Sequence, residues 1–135
     1  PGGAVTLLYT TAENRWRILG QVEPHVTRTQ SIVSGDAVRP NADTDDIVTV
    51  TALGESLEVL NPSPVYTVVD GQKLIIRIKD AGIAYSITWG DQYRPVQSAL
   101  PTTTIANKTL YLGFIYNSTG HETPFWELVA NAQEA

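Results

Sequence analysis

Residues 70–89 decide the fold of this chain, and they read Asp-Gly-Gln-Lys-Leu-Ile-Ile-Arg-Ile-Lys-Asp-Ala-Gly-Ile-Ala-Tyr-Ser-Ile-Thr-Trp. In the first half, Leu74, Ile76 and Ile78 occupy every other position. The second half continues with apolar residues in the same rhythm, namely Ile83, Tyr85, Ile87 and Trp89. A period of two is the pattern of a β-strand, and residues 80–82, Asp-Ala-Gly, are typical of a turn. The stretch therefore predicts an antiparallel hairpin.

Strand-like stretches recur along most of the chain. They cover residues 4–9, 15–19, 25–33, 47–53, 56–60, 65–69, 110–116 and 125–131. Pro95 and Pro101 bracket an irregular crossing, because proline donates no ladder hydrogen bond. The best helix candidate, residues 51–58, has Gly54 in its middle, so a bent strand is favoured there. Many short strands predict an all-β fold, and we expect an antiparallel β-sandwich of jelly-roll-like form. No fixed repeat is visible, so a solenoid is not expected.

Composition and charge exclude several classes of protein. The chain has 135 residues, 42% of them hydrophobic, which suits one domain with a core of ordinary size. It contains no cysteine, so a disulfide framework and a thiolate metal site are excluded. A net charge of −5 argues against nucleic acid as a partner. No apolar run approaches the ~20 residues that a membrane span needs, so we expect no membrane partner. We also expect no cofactor.

The two ends of the chain resemble each other. Residues 7–19 and 114–129 each run from a strand through a polar turn to a strand that contains a tryptophan. If both are hairpins of one design, residues 1–22 are a closing hairpin or linker from a preceding module, and residues 23–135 are the β-sandwich module. The alternative is that any two such hairpins look alike, because aromatic pairs are common across strands. The chain begins at Pro1 without methionine, so we expect a piece of a longer protein.

Candidates for catalysis or metal binding are few. His25 and His121 are the imidazole bases, and neither lies in a nucleophile-elbow, zinc-helix or phosphate-loop motif. An acidic turn contains Asp43, Asp45 and Asp46, whose oxygens suit a hard cation, but the other ligands of a known loop are missing, which favours a solvated turn. Paired carboxylates for glycoside hydrolysis meet in space, and the sequence selects no pair. We therefore predict no catalytic residue and no metal ligand.

Aromatic residues with polar neighbours are the better functional lead. Sugar rings lay their apolar C–H faces on flat side chains, while amides and carboxylates bind their hydroxyls. Residues 89–94, Trp-Gly-Asp-Gln-Tyr-Arg, follow a predicted strand, and residues 116–122 of the final hairpin form a second candidate surface. The predicted glycan-binding residues are Trp89, Asp91, Gln92, Tyr93, Arg94, Asn117 and His121. The alternative is that Trp89 continues the apolar face of its strand and caps the core.

Seven blocks in the C-terminal two thirds of the chain carry a family resemblance. They are residues 40–44 (Pro-Asn-Ala-Asp-Thr), 48–53 (Val-Thr-Val-Thr-Ala-Leu), 70–80, 87–89 (Ile-Thr-Trp), 100–104 (Leu-Pro-Thr-Thr-Thr), 108–117 (Lys-Thr-Leu-Tyr-Leu-Gly-Phe-Ile-Tyr-Asn) and 126–129 (Trp-Glu-Leu-Val). In this order the blocks resemble the C-terminal module of tail fibre and tailspike proteins of tailed bacteriophages. The chain departs from that pattern at residues 54–69 and 120–124.

The resemblance implies a context in the virion, in the phage tail. It implies a non-enzymatic module that assembles as a homotrimer, contacts other virion proteins, and either binds a host cell-surface glycan as its receptor or closes the end of a tailspike. Two alternatives stay open at this point. One is a capsid decoration or baseplate structural module, and the other is a fragment of a polysaccharide depolymerase tailspike.

Overall fold

The computed structural model describes residues 26–135, which form nine strands and no helix. The strands are β1 (Thr29–Ile32), β2 (Ala37–Val38), β3 (Ile47–Leu53), β4 (Leu57–Val59), β5 (Lys73–Asp80), β6 (Ile87–Trp89), β7 (Tyr93–Pro95), β8 (Thr109–Asn117) and β9 (Phe125–Gln133). The predicted all-β class is confirmed for this part of the chain. None of its segments is a helix long and apolar enough to cross a membrane. The strands predicted at 4–9 and 15–19, the boundary after residue 22 and His25 lie outside the described residues.

The strands form two sheets that the chain visits in alternation. The large sheet has the order β1-β3-β5-β8-β9-β7, and the small sheet has the order β2-β4-β6. Strands β1, β3 and β5 are parallel to one another, and so are β2, β4 and β6. Each of three successive turns therefore adds one strand to each sheet, as in a β-solenoid. The antiparallel hairpin of β8 and β9 then extends the large sheet beyond β5, and β7 lies parallel to β9 at its edge.

The structure corrects three predictions about topology. The hairpin predicted at residues 70–89 is wrong, because β5 and β6 belong to different sheets. The two sheets are compatible with the expected sandwich, but the antiparallel direction is wrong, because five of the seven strand pairings within residues 26–135 are parallel. Solenoid-like stacking is present although none was expected. Thr29 pairs with Ile47 and Ile47 pairs with Ile75, so the turns differ in length and leave no fixed period in the sequence.

Two further strands differ from their predicted extents. Residues 65–69 form no strand, and Tyr66 and Thr67 form a turn, because the carboxylate of Asp43 accepts hydrogen bonds from the backbone N–H groups of Tyr66 and Thr67 and so removes them from any strand ladder. The sequence also does not predict β7, a short edge strand that ends at Pro95. Proline is tolerated there because an edge strand leaves one side of its backbone unpaired.

A single core fills the space between the two sheets. Its residues come from both sheets: Val38, Ala42, Val48, Val50, Leu53, Leu57, Val59, Leu74, Ile76, Ile78, Ile87, Tyr93, Leu110, Leu112, Phe114, Trp126 and Leu128. Burying each large aliphatic side chain contributes roughly 1.5–3 kcal/mol to stability. On β5 the inward residues Leu74, Ile76 and Ile78 leave Lys73, Ile75, Arg77 and Lys79 on the opposite face of the large sheet. The fold thus has two sheets around one buried interior. The outer face of β5 in the large sheet carries both charged and apolar side chains.

Candidate functional site

Asn61 holds the loop that precedes β7. Its side-chain Oδ1 accepts the backbone N–H of Gln92 at 3.0 Å, and its Nδ2 donates to the Asp91 carboxylate at 2.8 Å. The backbone N–H of Gly90 donates to the carbonyl of Val59 at 2.8 Å. A Cβ at Gly90 would lie 2.1 Å from Asn61 Oδ1, so only glycine allows the two segments to approach this closely. The positions of Asp91 and Gln92 are therefore set by Asn61, which lies in the segment between β4 and β5.

Strand β7 brings Arg94 against the start of β9. Tyr93 points inward and Arg94 outward, and Arg94 pairs in register with Glu127. The guanidinium carbon of Arg94 lies 3.7 Å from the centroid of the Phe125 ring. This is a cation–π contact, in which the positive charge is attracted by the electron-rich face of the ring. An exposed arginine is thereby held in one place at the edge of the large sheet.

The β8–β9 hairpin contributes His121 and Asn117 to the same region. The His121 ring meets the Phe125 ring edge-on, with 5.2 Å between centroids. Asn117 Nδ2 donates to Glu127 Oε1 at 3.1 Å, and His121 Nε2 lies 3.9 Å from Glu127 Oε2. Phe125 and Glu127 thus connect the two surfaces that the sequence analysis predicted separately.

A shallow cleft of about 240 Å³ lies beside Arg94 and Phe125, and Asn117 and His121 are not among its walls. Its walls are formed by Asp91, Gln92, Arg94, Thr123 and Phe125, and we call it the Arg94 cleft. It offers a carboxylate, an amide, a guanidinium and a hydroxyl beside an aromatic ring. Such a combination suits a sugar, whose hydroxyls bind the polar groups and whose C–H face packs on the ring.

Trp89 and Tyr93 leave the set of predicted glycan contacts. Tyr93 is only 3% exposed, and its hydroxyl donates to the carbonyl of Leu60 at 2.9 Å. Burial raises the pKa of Tyr93 well above its ordinary range. Trp89 packs on Tyr93 and Phe114, and its Nε1 donates to the carbonyl of Pro101 at 2.7 Å. The alternative considered for Trp89, a cap on the core, describes its place.

Phe125 and Thr123 line the cleft without having been predicted as site residues. The signal for Phe125 was present in the alternation of the last strand. Trp126 and Leu128 are buried, so Phe125 and Glu127 face outward. A phenylalanine on the outward face of an edge region is a candidate for binding, because such a ring gains nothing from the core. Thr123 carries no comparable signal.

The acidic turn has structural roles. Asp46 pairs with Arg28 at 2.9 Å, and the buried Asp45 accepts the backbone N–H of Asn41 at 2.8 Å. The hydrogen bond from the backbone of Thr67 lowers the pKa of Asp43, which also accepts the Thr67 hydroxyl. Within residues 26–135 no group of histidine and acidic side chains is arranged to hold a metal ion. These carboxylates therefore tie loops together.

Comparison with protein-family models, with curated proteins and with solved structures finds no match to this chain.

Proposed function

We propose that this chain is a non-enzymatic structural module of a phage tail fibre or tailspike, and that it binds a host cell-surface glycan through the Arg94 cleft. One observation carries the glycan site. Arg94 and His121 come from two separate sequence segments, and both contact the outward ring of Phe125. The virion context rests on the resemblance of the ordered sequence blocks.

The contacts around the cleft hold its acidic side chains in fixed orientations. The carboxylate of Asp91 accepts a hydrogen bond from the amide of Asn61, and that of Glu127 accepts one from the amide of Asn117. The polar groups of the cleft thus serve to orient a ligand.

A homotrimer would explain how a shallow site achieves useful affinity. Single open clefts bind weakly, because association costs several kcal/mol of rotational and translational freedom. Three linked copies convert later binding events into intramolecular ones, which raises the apparent affinity on a surface that repeats its glycan. The proposed trimer also fits a role beside other virion proteins at a fibre end.

Binding of the fluorescently labelled chain to a panel of bacterial strains tests the receptor role. The test variant is Phe125→Ala, and the matched control is Tyr66→Ala, which removes an aromatic ring that is 90% exposed and outside the cleft. We expect Phe125→Ala to lower cell binding at least tenfold and Tyr66→Ala to leave it unchanged, with both variants folded by circular dichroism. Binding by Phe125→Ala equal to that of the parent chain would overturn the proposed site.

Three further measurements test the assembly and the assignment to a binding class. Light scattering that shows a stable monomer at micromolar concentration would overturn the trimer. Release of reducing sugar from a bound polysaccharide would identify a depolymerase fragment instead, and co-purification with capsid protein would identify a decoration module.

A further inference from the structure

The outward face of β5 carries a row of positive charge that the Arg94 cleft does not use. Lys73, Arg77 and Lys79 share this face, since Leu74, Ile76 and Ile78 are buried on the other. Alternate strand residues lie ~6.6 Å apart, so Arg77 and Lys79 can act on one ligand. The whole chain has a net charge of −5, and these cations oppose that sign locally. Screening limits the reach of distant charges to about 8 Å at physiological salt, so the local sign decides what approaches.

Arg77 is held in position by a neutral group. Its Nε and Nη2 donate to the hydroxyl of Thr49, the residue paired with Arg77 on the adjacent strand β3, at 3.2 and 3.0 Å. A hydroxyl does not neutralise a guanidinium, and no carboxylate of residues 26–135 pairs with Arg77. The hydrogen bonds to Thr49 leave the Nη1 donors available. The charge is therefore oriented and has no carboxylate partner in the part of the chain that the structure describes.

Arg77 lines a second cleft, about 280 Å³ in volume, on the outer face of the large sheet. We call it the Arg77 cleft. The side chains that matter for binding are Arg77, Lys79, Tyr111, Thr49, Thr51 and Thr109. Tyr111 on β8 is the cross-strand partner of Arg77 and is 43% exposed, so its side chain lies on the same face of the sheet as Arg77 and is partly open to solvent. The volume lies just below the roughly 300–1,000 Å³ of sites for drug-sized ligands, which fits a single sugar unit.

Lys79 has a supporting part. Its Nζ donates to the carbonyl of Asn107 at 2.8 Å and lies 3.4 Å from the Glu134 carboxylate. Glu134 is held in turn by the backbone N–H of Thr109 at 2.7 Å. Since Glu134 offsets much of the Lys79 charge, Arg77 is the principal anchor for a negative ligand.

We propose that the Arg77 cleft binds a carboxylate-bearing sugar, such as a uronic acid unit of an acidic polysaccharide. The planar guanidinium forms paired hydrogen bonds with a carboxylate, and the neighbouring ring and hydroxyls match the sugar body. The inference rests on the proposed function in taking the ligand to be a glycan. The site is separate from the Arg94 cleft, because β5 and β7 lie three strand spacings apart, ~14 Å at 4.8 Å per spacing, and the β5 residue in line with Arg94 across the sheet is Lys73 rather than Arg77.

The test is an NMR titration of the ¹⁵N-labelled chain with trigalacturonate. Its methyl ester, which has the same sugar body without the charge, is the matched control ligand. We expect trigalacturonate to shift the amide signals of Thr49, Arg77 and Tyr111, and the ester to leave them unchanged. Equal shifts with the ester would overturn the carboxylate contact, and equal shifts with sodium sulfate at the same ionic strength would overturn the sugar contact.

Variants locate the binding and separate it from the proposed receptor site. Arg77→Gln should weaken trigalacturonate binding at least fivefold, and Tyr111→Ala should weaken it by a smaller factor. Arg94→Gln removes the same charge from the other cleft and should leave the shifts at Tyr111 intact. Unchanged binding by Arg77→Gln would contradict the inference. Loss of cell binding in Phe125→Ala with intact trigalacturonate shifts would show that the two sites are independent.

Discussion

Arg94 lies over the ring of Phe125, with its guanidinium carbon 3.7 Å from the ring centroid. The two residues come from β7 and β9, which are distant in sequence and parallel at the edge of the large sheet. The contact covers one side of the ring and positions the arginine donors over the cleft formed with Asp91 and Gln92. An exposed cation–π contact contributes roughly 0.5–1 kcal/mol, so its main effect is on position.

Replacing Arg94 should therefore affect binding more than stability. We expect Arg94→Ala to lower the free energy of unfolding by no more than about 1 kcal/mol, because the residue is exposed and the contact is weak. Cell binding should fall at least fivefold. Arg94→Lys keeps the charge but loses the planar stacking group, and should recover binding only in part. Urea unfolding and cell binding measured on the same samples check both effects, and a stability loss above 3 kcal/mol would show that Arg94 is a structural residue.

Gly90→Ala should disturb the loop that carries Asp91 and Gln92. The new Cβ would lie 2.1 Å from Asn61 Oδ1 and 2.8 Å from the Asn61 backbone nitrogen, so the small-sheet connection must shift. Overpacking of this kind costs typically 1–3 kcal/mol. Thermal unfolding should show the loss, and cell binding should fall with it. Gly82→Ala is the control, since nothing lies within 4 Å of its Cβ position, and it should unfold like the parent chain.

The buried Asp80 predicts a dependence of stability on pH. Burial raises the pKa of its carboxyl, but hydrogen bonds from the Thr104 hydroxyl and the backbone of Gly82 and Asn107 outweigh that effect and hold the pKa below its ordinary value. The folded state therefore binds this proton less readily than the unfolded state. The stabilisation is fully present above the unfolded pKa of about 3.9, and it is lost as the pH falls through the folded pKa.

Thr104→Val tests this network, because it removes a donor 2.5 Å from Asp80 while nearly keeping the side-chain shape. We expect a loss of roughly 1–3 kcal/mol at neutral pH, since a buried carboxylate loses a partner. The pKa of Asp80 should rise, so acid unfolding should begin at a higher pH than in the parent chain. Denaturant curves between pH 3 and 7 measure both. If the denaturant curves of Thr104→Val superimpose on those of the parent chain at every pH, the Thr104 hydroxyl does not stabilise the Asp80 charge.

Trp89→Ala should destabilise the chain before it affects any ligand. The substitution removes the hydrogen bond to the Pro101 carbonyl and the packing against Tyr93 and Phe114. Loss of a packed tryptophan costs about 3–5 kcal/mol when it is fully buried, and somewhat less here because Trp89 is half-buried. Differential scanning calorimetry should show a clear fall in Tm. A Tm equal to that of Tyr66→Ala, in which an exposed ring is lost, would place Trp89 outside the packing.

Part of the candidate site could be predicted from the sequence. Residues 91–94 and 117–121 are polar segments next to strands, and loops of this composition lie at surfaces and carry function. The structure brings Asp91, Gln92 and Arg94 to one cleft. It places Tyr93 inside instead, because alternation along β7 sends neighbouring side chains to opposite faces. Tyr93 and Arg94 therefore lie on opposite faces although they are adjacent in the sequence. To assign each residue to its face, one must know where the strand starts.

The sequence by itself determined the all-β class of the described residues and the buried face of strands such as β5. The period of two in residues such as Leu74, Ile76 and Ile78 reports that one face of a strand is apolar, and burial of that face is the main driving force for folding. Only the tertiary structure decided which strands pair. The same alternation suits a parallel or an antiparallel neighbour, so β5 could equally have turned back on Ile87 or stacked beside β3. The contact between Arg94 and Phe125 follows from the pairing of β7 with β9. The sequence does not predict this contact, because no local pattern indicates which distant strands form hydrogen bonds with each other.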